Sequence, residues 1–249
     1  MTAPSPTMRT ALGFTGAILF IAIWHLAAAS TGATGPLDVL RAGFGRGDAG
    51  DVLTHAALSM RRVLGGFAIG AGVGVTLGIL TGWLPRLGAV LRAPIELLRP
   101  IPPLAWIPLA ILWFGIGEGS KLYIVFLGAF FPVFTITYSA MAVLDPIYLR
   151  VGRSLGLNGA RLLTRVAVPA ILPDIVLSLR IALTYSFAAM VASELIAANA
   201  GLGFMILDAR ERGEFALMLF GVLMIGALAI LSDTVLRLIF ARPLARAAR

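Results

Sequence analysis

Read only for apolar and polar positions, the chain resolves into six apolar runs separated by short breaks rich in glycine, proline or charge. They cover Ala11 to Ala29, Val63 to Leu84, Ile101 to Ile116, Leu122 to Leu144, Ile175 to Ala198, and Phe215 to Leu231 with an extension toward Phe240. An α-helix rises ~1.5 Å per residue, so ~20 residues cross the ~30 Å hydrocarbon layer of a bilayer. Most of the runs meet that length. The third is shorter and begins among prolines, so crossing requires its flanks or a thin local environment. The pattern predicts an all-α integral membrane protein with about six transmembrane helices.

The first run, with Arg9 before it and "AAAS" at its end, has the ingredients of a signal peptide. It is longer than the apolar core of such a peptide and therefore reads as a retained span. No fixed-period repeat and no Ser- or Pro-rich linker divides the chain, which reads as one membrane domain. The expected layout is a cytoplasmic tail at 1–9, a first helix at 10–30, a partly ordered external loop at 31–60, a core at 61–240 and a basic cytoplasmic tail at 241–249. Within the core, 145–173 forms a cytoplasmic loop.

Composition strengthens this reading. The chain is 59% hydrophobic and 13% charged, with a mean hydropathy of +0.95, whereas soluble domains are about 25% charged. There is no cysteine, which excludes disulfides, thiolate nucleophiles and cysteine-ligated metals. The net charge of +8 would suggest nucleic acid in a soluble protein, but in a membrane protein basic residues mark the cytoplasmic side. With the N-terminus inside, eleven arginines fall on inner segments: Arg9, Arg86, Arg92, Arg99, Arg150, Arg153, Arg161, Arg165, Arg242, Arg246 and Arg249. Seven basic residues fall outside: Arg41, Arg46, Arg61, Arg62, Lys121, Arg210 and Arg212. Both termini are therefore expected in the cytoplasm.

Chemistry inside the runs is sparse. Gly66, Gly70, Gly74, Gly78 and Gly82 recur every fourth residue, which on a helix makes a groove that a second helix can approach closely, expected within one subunit. "GAGVG" lacks the spacing and the strand–turn–helix setting of a dinucleotide fingerprint, and no phosphate-binding Gly-x-x-x-x-Gly-Lys-Ser/Thr loop is present. Glu194 is the carboxylate well inside a run; it either serves a translocation path or bonds to nearby backbone at a helix end. Arg180, one turn inside its run, is expected to reach the headgroups, and Asp174 to cap the fifth helix. His25 and His55 stand apart without metal-ligand spacing, and no Gly-x-Ser-x-Gly elbow occurs. No catalytic constellation supports an enzyme. A self-sufficient secondary transporter or channel would show internal repeats, broken midplane helices and several intramembrane charges; only Glu194 and the proline-rich third run point that way.

The segment "GRSLGLNGARLLTRVAVPAILP", residues 152–173, interrupts the apolar pattern. Tyr148, Val151 and Leu155 share one helical face, with Arg150 and Arg153 on another. Leu162, Leu163 and Val166 form a second apolar stripe, with Arg161 and Arg165 away from it. Gly156 to Gly159 reads as a turn between two short amphipathic helices, closed by Pro169 and Pro173. Three readings compete: an interfacial pair on anionic lipid, a knob for a cytoplasmic partner, and a DNA-binding helix-turn-helix, which the two flanking membrane spans disfavour.

"RSLG", nine residues and "VAVP" resemble the cytoplasmic loop of permease subunits of ATP-binding-cassette importers, whose pattern is Glu-Ala-Ala, three residues, Gly, nine residues, Ile-x-Leu-Pro. Gly156 matches the motif glycine, Val166 and Val168 the Ile and Leu, and Pro169 the proline. Arg150-Val151-Gly152 replaces Glu-Ala-Ala. "HAALSMRRVLGGF" (55–67), "LRPIPPLAWIPLAILWFGIGEGSK" (98–121), "SLRIAL" (178–183) and "SELIAANAGLGFMI" (193–206) are similar to the branch handling nitrate, sulfonate, taurine and related solutes, so the similarity spans about 55–240. The resemblance implies a type I importer permease bundle of two permease subunits, commonly a homodimer, with the path between them. ATP and Mg would be held by two partner ATPases docked on the loop around Arg150, Arg153, Gly156, Gly159, Arg161, Arg165 and Pro169. No cofactor is expected on this chain, and an extracytoplasmic binding protein would deliver the solute. Membrane lipid is the other expected neighbour; nucleic acid is not.

Overall fold

The apolar runs become helices because a backbone surrounded by hydrocarbon must satisfy its N–H and C=O groups internally. The computed structural model describes the backbone of residues 6–45 and 48–247. Side chains of 1–7, 9–11, 46–49 and 242–249 lie outside the described residues, so Arg9, Arg46, Arg242, Arg246 and Arg249 of the charge count are not placed. The elements are α1 (Pro6–Thr31), α2 (Pro36–Phe44), α3 (Asp48–Trp83), α4 (Pro85–Leu98), a 3-10 turn (Pro103–Trp106), α5 (Ile107–Phe114), α6 (Glu118–Ala142), α7 (Pro146–Ser154), α8 (Gly159–Leu162), a π turn (Leu163–Ala167), α9 (Val168–Ala170), α10 (Leu172–Ala197), α11 (Leu202–Glu211) and α12 (Phe215–Ala247). Among the described residues, five helices are long and apolar enough to cross a membrane, six if the bent pair α4 and α5 counts as one span.

α3, α6 and α10 form the centre. The five glycines of the four-residue series in α3 lie along α6: a Cβ at Gly66 would stand 2.5 Å from the Val125 Cβ, at Gly70 2.6 Å from the Phe126 carbonyl oxygen, at Gly74 3.0 Å from Val133, at Gly78 2.8 Å from the Thr137 Cβ and at Gly82 2.6 Å from the Met141 Cβ. The groove's occupant is a helix of the same chain. On its other side α6 meets α10 equally closely, where a Cβ at Gly128 would stand 3.0 Å from the Ala189 Cβ. A third face of α6 carries Tyr123, Phe126, Phe130, Phe134 and Tyr138, successive rings with centroids 5.5 to 6.3 Å apart. Ile95, Trp106 and Leu77 pack on this ladder, seating the bent span against α6.

Several boundaries differ from the sequence pattern. The expected loop at 31–60 contains α2 and the first turns of α3, because Val39, Val52 and Ala56 are buried against Leu202, Met205 and Phe220 and draw the segment into helix. The third run is bent by 92° where it meets α4; Pro100, Pro102 and Pro103 deny the backbone the donors a straight helix requires. Helical backbone also extends into both expected tails, from Pro6 in α1 and to Ala247 in α12. Asp174 stands in the first turn of α10, not at its cap, which falls on Ile171 because helical backbone continues from the π turn through α9 almost to α10.

The α3–α6 contact yields a clean test. Gly70→Ala places a methyl against backbone that cannot move aside, whereas nothing lies within 4 Å of a Cβ at Gly72. Gly70→Ala is expected to lower stability by about 1–3 kcal/mol, and Gly72→Ala to leave it unchanged, read as thermal unfolding of the detergent-solubilised protein.

Candidate functional site

Three features stand out chemically: a buried ionic hub at one end, an open face along α10, and the α7–α8 projection at the other end.

The hub surrounds Glu194, three residues before the end of α10 and 0% exposed. Arg62 of α3, 3% exposed, donates from Nη1 to Glu194 Oε1 at 2.7 Å and to the Ala200 carbonyl at 2.6 Å. The other edge of its guanidinium forms a two-pronged pair with Glu118 at the start of α6, Nε to Oε2 at 2.9 Å and Nη2 to Oε1 at 2.6 Å. Lys121 adds a contact to Glu118 at 3.2 Å, and the more exposed Arg61 stands 3.5 Å away. Arg62 and Lys121 thus balance Glu194 and Glu118, the condition for keeping charges in a low-dielectric interior.

The same groups build the start of α11. Its N-cap, Gly201, has no side chain to receive the first amides. Ser59 Oγ, 2.8 Å from each Glu194 oxygen, accepts from Leu202 N at 2.8 Å, and Glu194 Oε2 accepts from Gly203 N at 2.8 Å. His55 Nδ1 accepts from Gly201 N at 2.9 Å. Capping acceptors therefore arrive from α3 and α10, and the negative carboxylate sits at a helix N-terminus, where the dipole favours it. Gly201, at φ 128°, leaves no room for a Cβ, which would collide with the Glu194 carboxyl.

Glu194 consequently faces no opening. Of the hub's residues, the sequence pattern placed Arg62 and Lys121 only as outer-side charges, weighed His55 only as a metal ligand, and did not single out Ser59. The available signal was the clustering of opposite charges at like-facing ends of the second, fourth and fifth runs. Arg180, expected to reach for headgroups, instead pairs with Asp233 of α12, Nε to Oδ1 at 2.7 Å, and Arg237 binds the same carboxylate at 2.7 Å. A carboxylate one helix away satisfies it better than extension to a distant surface.

α10 is among the most buried spans, yet one stripe of it is left uncovered: Leu177, Ile181, Thr184, Tyr185 and Ala188. A cavity of about 360 Å³ lies on one side of Ile181, lined among others by Arg99, Thr135, Phe131 and Tyr185. On the other side a groove runs between α10 and α12 past Arg180, Thr184, Asp233 and Arg237.

At the far end, α7 and α8 join through Gly156 and Gly159, at φ 79° and 52°. Asp145 caps α7, accepting from Ile147 N at 2.8 Å. Gly152 packs where Leu162 and Val166 take the space of a side chain; a Cβ there would meet Leu162 Cδ1 at 2.5 Å. This explains glycine at the third position of the Glu-Ala-Ala-like triplet. Pro169 lacks the N–H that a helix would direct at the Arg165 carbonyl, and the backbone just before it, including Arg165, forms the π turn. Leu149, Leu163, Ala167, Val168 and Ile171 join the same apolar cluster as Met141 and Trp83, so the projection is packed directly onto the spans. Its other face exposes Ile147, Tyr148, Val151 and Leu155, the last 75% exposed, and Arg150, Arg153, Arg161 and Arg165 are exposed around it.

Removing one partner of a buried ion pair strands the other. Arg62→Ala and Glu194→Ala are each expected to cost about 3–5 kcal/mol, seen as loss of folded protein on heating in detergent. Arg92→Ala, which removes an exposed pair with Glu96, is expected to cost under ~1 kcal/mol.

Residues 74–244 match the family of binding-protein-dependent transport system inner membrane components. The taurine transport system permease protein TauC of Escherichia coli is 38% identical over 183 residues, 74% of this chain and 66% of that protein. The bicarbonate transport system permease protein CmpB of Synechococcus elongatus is 31% identical over 241 residues, 89% of this chain and 85% of that one. A chain of the methionine ABC transporter MetNI, solved in inward-facing conformations, superposes with a TM-score of 0.58 at 20% identity, covering 81% of this chain and 96% of its own. The bundle, its membrane-crossing helices and these matches lead to one conclusion: the chain belongs to the binding-protein-dependent transport system inner membrane component family and is a permease subunit of an ABC importer.

Proposed function

We propose that this subunit pairs with a second copy of itself across the uncovered stripe of α10, and that a small solute, a sulfonate-, taurine-, nitrate- or bicarbonate-like anion, crosses between the two copies. The observation that carries the proposal is the stripe itself. Thr184 and Tyr185 are exposed on a helix otherwise packed within the bundle, and Arg180 lies beside them. Polar and charged side chains at membrane depth turn toward protein or a water-filled cavity, not lipid.

The α7–α8 projection is the contact for partner ATPases. Its apolar face supplies area and its four arginines supply charge for acidic groups on the partner. Arg150, where relatives of this pattern carry Glu, reverses the polarity of that contact at one point. ATP and Mg reside on the ATPases, and this chain contributes no hydrolysis. ATP-driven closure of the ATPases draws the two projections together. Because α7 to α9 are anchored in the apolar cluster around Met141 and Ile171, the displacement passes to the spans as a rigid-body movement. The arginine bias supports placing the projection and both termini in the cytoplasm of a multi-pass plasma membrane protein, with the hub toward the binding protein.

Gly156, with φ 79° and open space around it, separates coupling from folding. Gly156→Val is expected to insert normally but to lose at least ~90% of ATP-driven uptake in the reconstituted complex, since a β-branched residue resists that backbone conformation. Undiminished uptake would overturn the coupling role, and uptake by this chain alone without ATP would overturn the importer reading. The pairing has its own check. The chain has no cysteine, so Ala188→Cys alone is expected to crosslink into a dimer with a short bismaleimide; an exclusively monomeric product would count against a homodimer.

A further inference from the structure

The cavity beside the bend of the third span has a composition that selects among anions. It is bounded by the end of α4, the prolines before α5, the middle of α6 and the uncovered stripe of α10. Its polar groups are the Arg99 side chain and the hydroxyls of Thr135 and Tyr185, and much of the remaining wall is hydrocarbon from Leu127, Phe131 and Ile181. Its volume of about 360 Å³ suits a small molecule. Arg99 is exposed and forms no ion pair among the described residues, unlike Arg62, Arg180 and Arg237. One cationic fork with an apolar wall opposite matches a solute with one anionic head and a short hydrocarbon body. An inorganic oxyanion would meet the guanidinium and the hydroxyls but would have no hydrocarbon to place against the apolar wall, and so would gain nothing from it.

We propose that Arg99 and this cavity form a subsite on the translocation path that holds a small amphiphilic organic anion, such as a short alkanesulfonate, in preference to inorganic sulfate, nitrate or bicarbonate. Arg99 grips the head in the two-pronged geometry that guanidinium favours, and Phe131, Leu127 and Ile181 take the carbon chain. The subsite rests on reading the α10 stripe as the path, and it goes further by naming the residue and the chemistry that discriminate.

The test uses a single cysteine, Ile136→Cys on the cavity wall, in the full complex with its ATPases in phosphatidylcholine vesicles, with maleimide labelling as readout. Butanesulfonate is expected to slow labelling in a saturable way, and sulfate, nitrate and bicarbonate at equal concentration to leave it unchanged. Adding Arg99→Gln is expected to raise the half-protecting concentration about tenfold or more; Arg92→Gln, on the preceding helix outside the cavity, is expected not to. Equal protection by inorganic anions, or undiminished protection in the Arg99→Gln protein, would overturn the proposal. So would labelling already blocked by phosphatidylglycerol in the vesicles without butanesulfonate, which would make the occupant a lipid headgroup. Absence of protection by any anion while ATP-driven uptake persists would sink the subsite and leave the importer reading intact; loss of uptake by the unaltered complex would instead sink that reading.

Discussion

The arrangement of the bundle depends on the neutralisation of Arg62. A guanidinium with 3% exposure, within a membrane-crossing helix, is tolerated only if carboxylates meet it in good geometry. Glu118 and Glu194 come from two other helices, so satisfying one charge fixes the start of α6 and the end of α10 against the middle of α3. The hub also sets the position of the next helix: Glu194 and Ser59 act as the caps that Gly201 cannot provide, and α11 starts where they put it. Such a network adds less to net stability than its short distances suggest, because desolvation offsets much of the attraction. Its contribution is to exclude other registers.

With one end clamped by charge and the middle by glycine-mediated contact, the opposite end is secured differently. There the Arg180–Asp233–Arg237 cluster joins α10 to α12, and an apolar cluster seats the α7–α9 projection against α3, α6 and α10. The subunit is thus stiff along the helices that carry the projection and open along one stripe of α10. In the proposed pairing, the first passes movement of the projection to the spans and the second is the face that the other copy covers.

Much of this was legible in the residue pattern. Run length and composition sufficed for an all-helical membrane bundle, because hydrocarbon admits so few backbone solutions. The four-residue glycine period marked a close helix contact, and the Gly156-to-Pro169 spacing located the projection. Arg180 and the 31–60 segment were misplaced for a common reason: each was judged by its sequence neighbours, whereas its environment came from elements 50 or more residues away. Asp174 was misplaced for a local one, since the turn before α10 is itself helical and moves the cap to Ile171. The bend of the third span was half visible, as prolines announce a break but not its angle.

The sequence by itself determined which segments enter the membrane and which segment projects from it, because transfer of apolar surface and local backbone geometry are properties of contiguous residues. Only the tertiary structure decided which charge meets which. It brought Ser59, Arg62, Glu118 and Glu194 into one bonded cluster from three helices and left Arg99 at the edge of a cavity. An isolated arginine has the same covalent chemistry in either place; what differs is the number of carboxylates within reach, and that is set by helix packing.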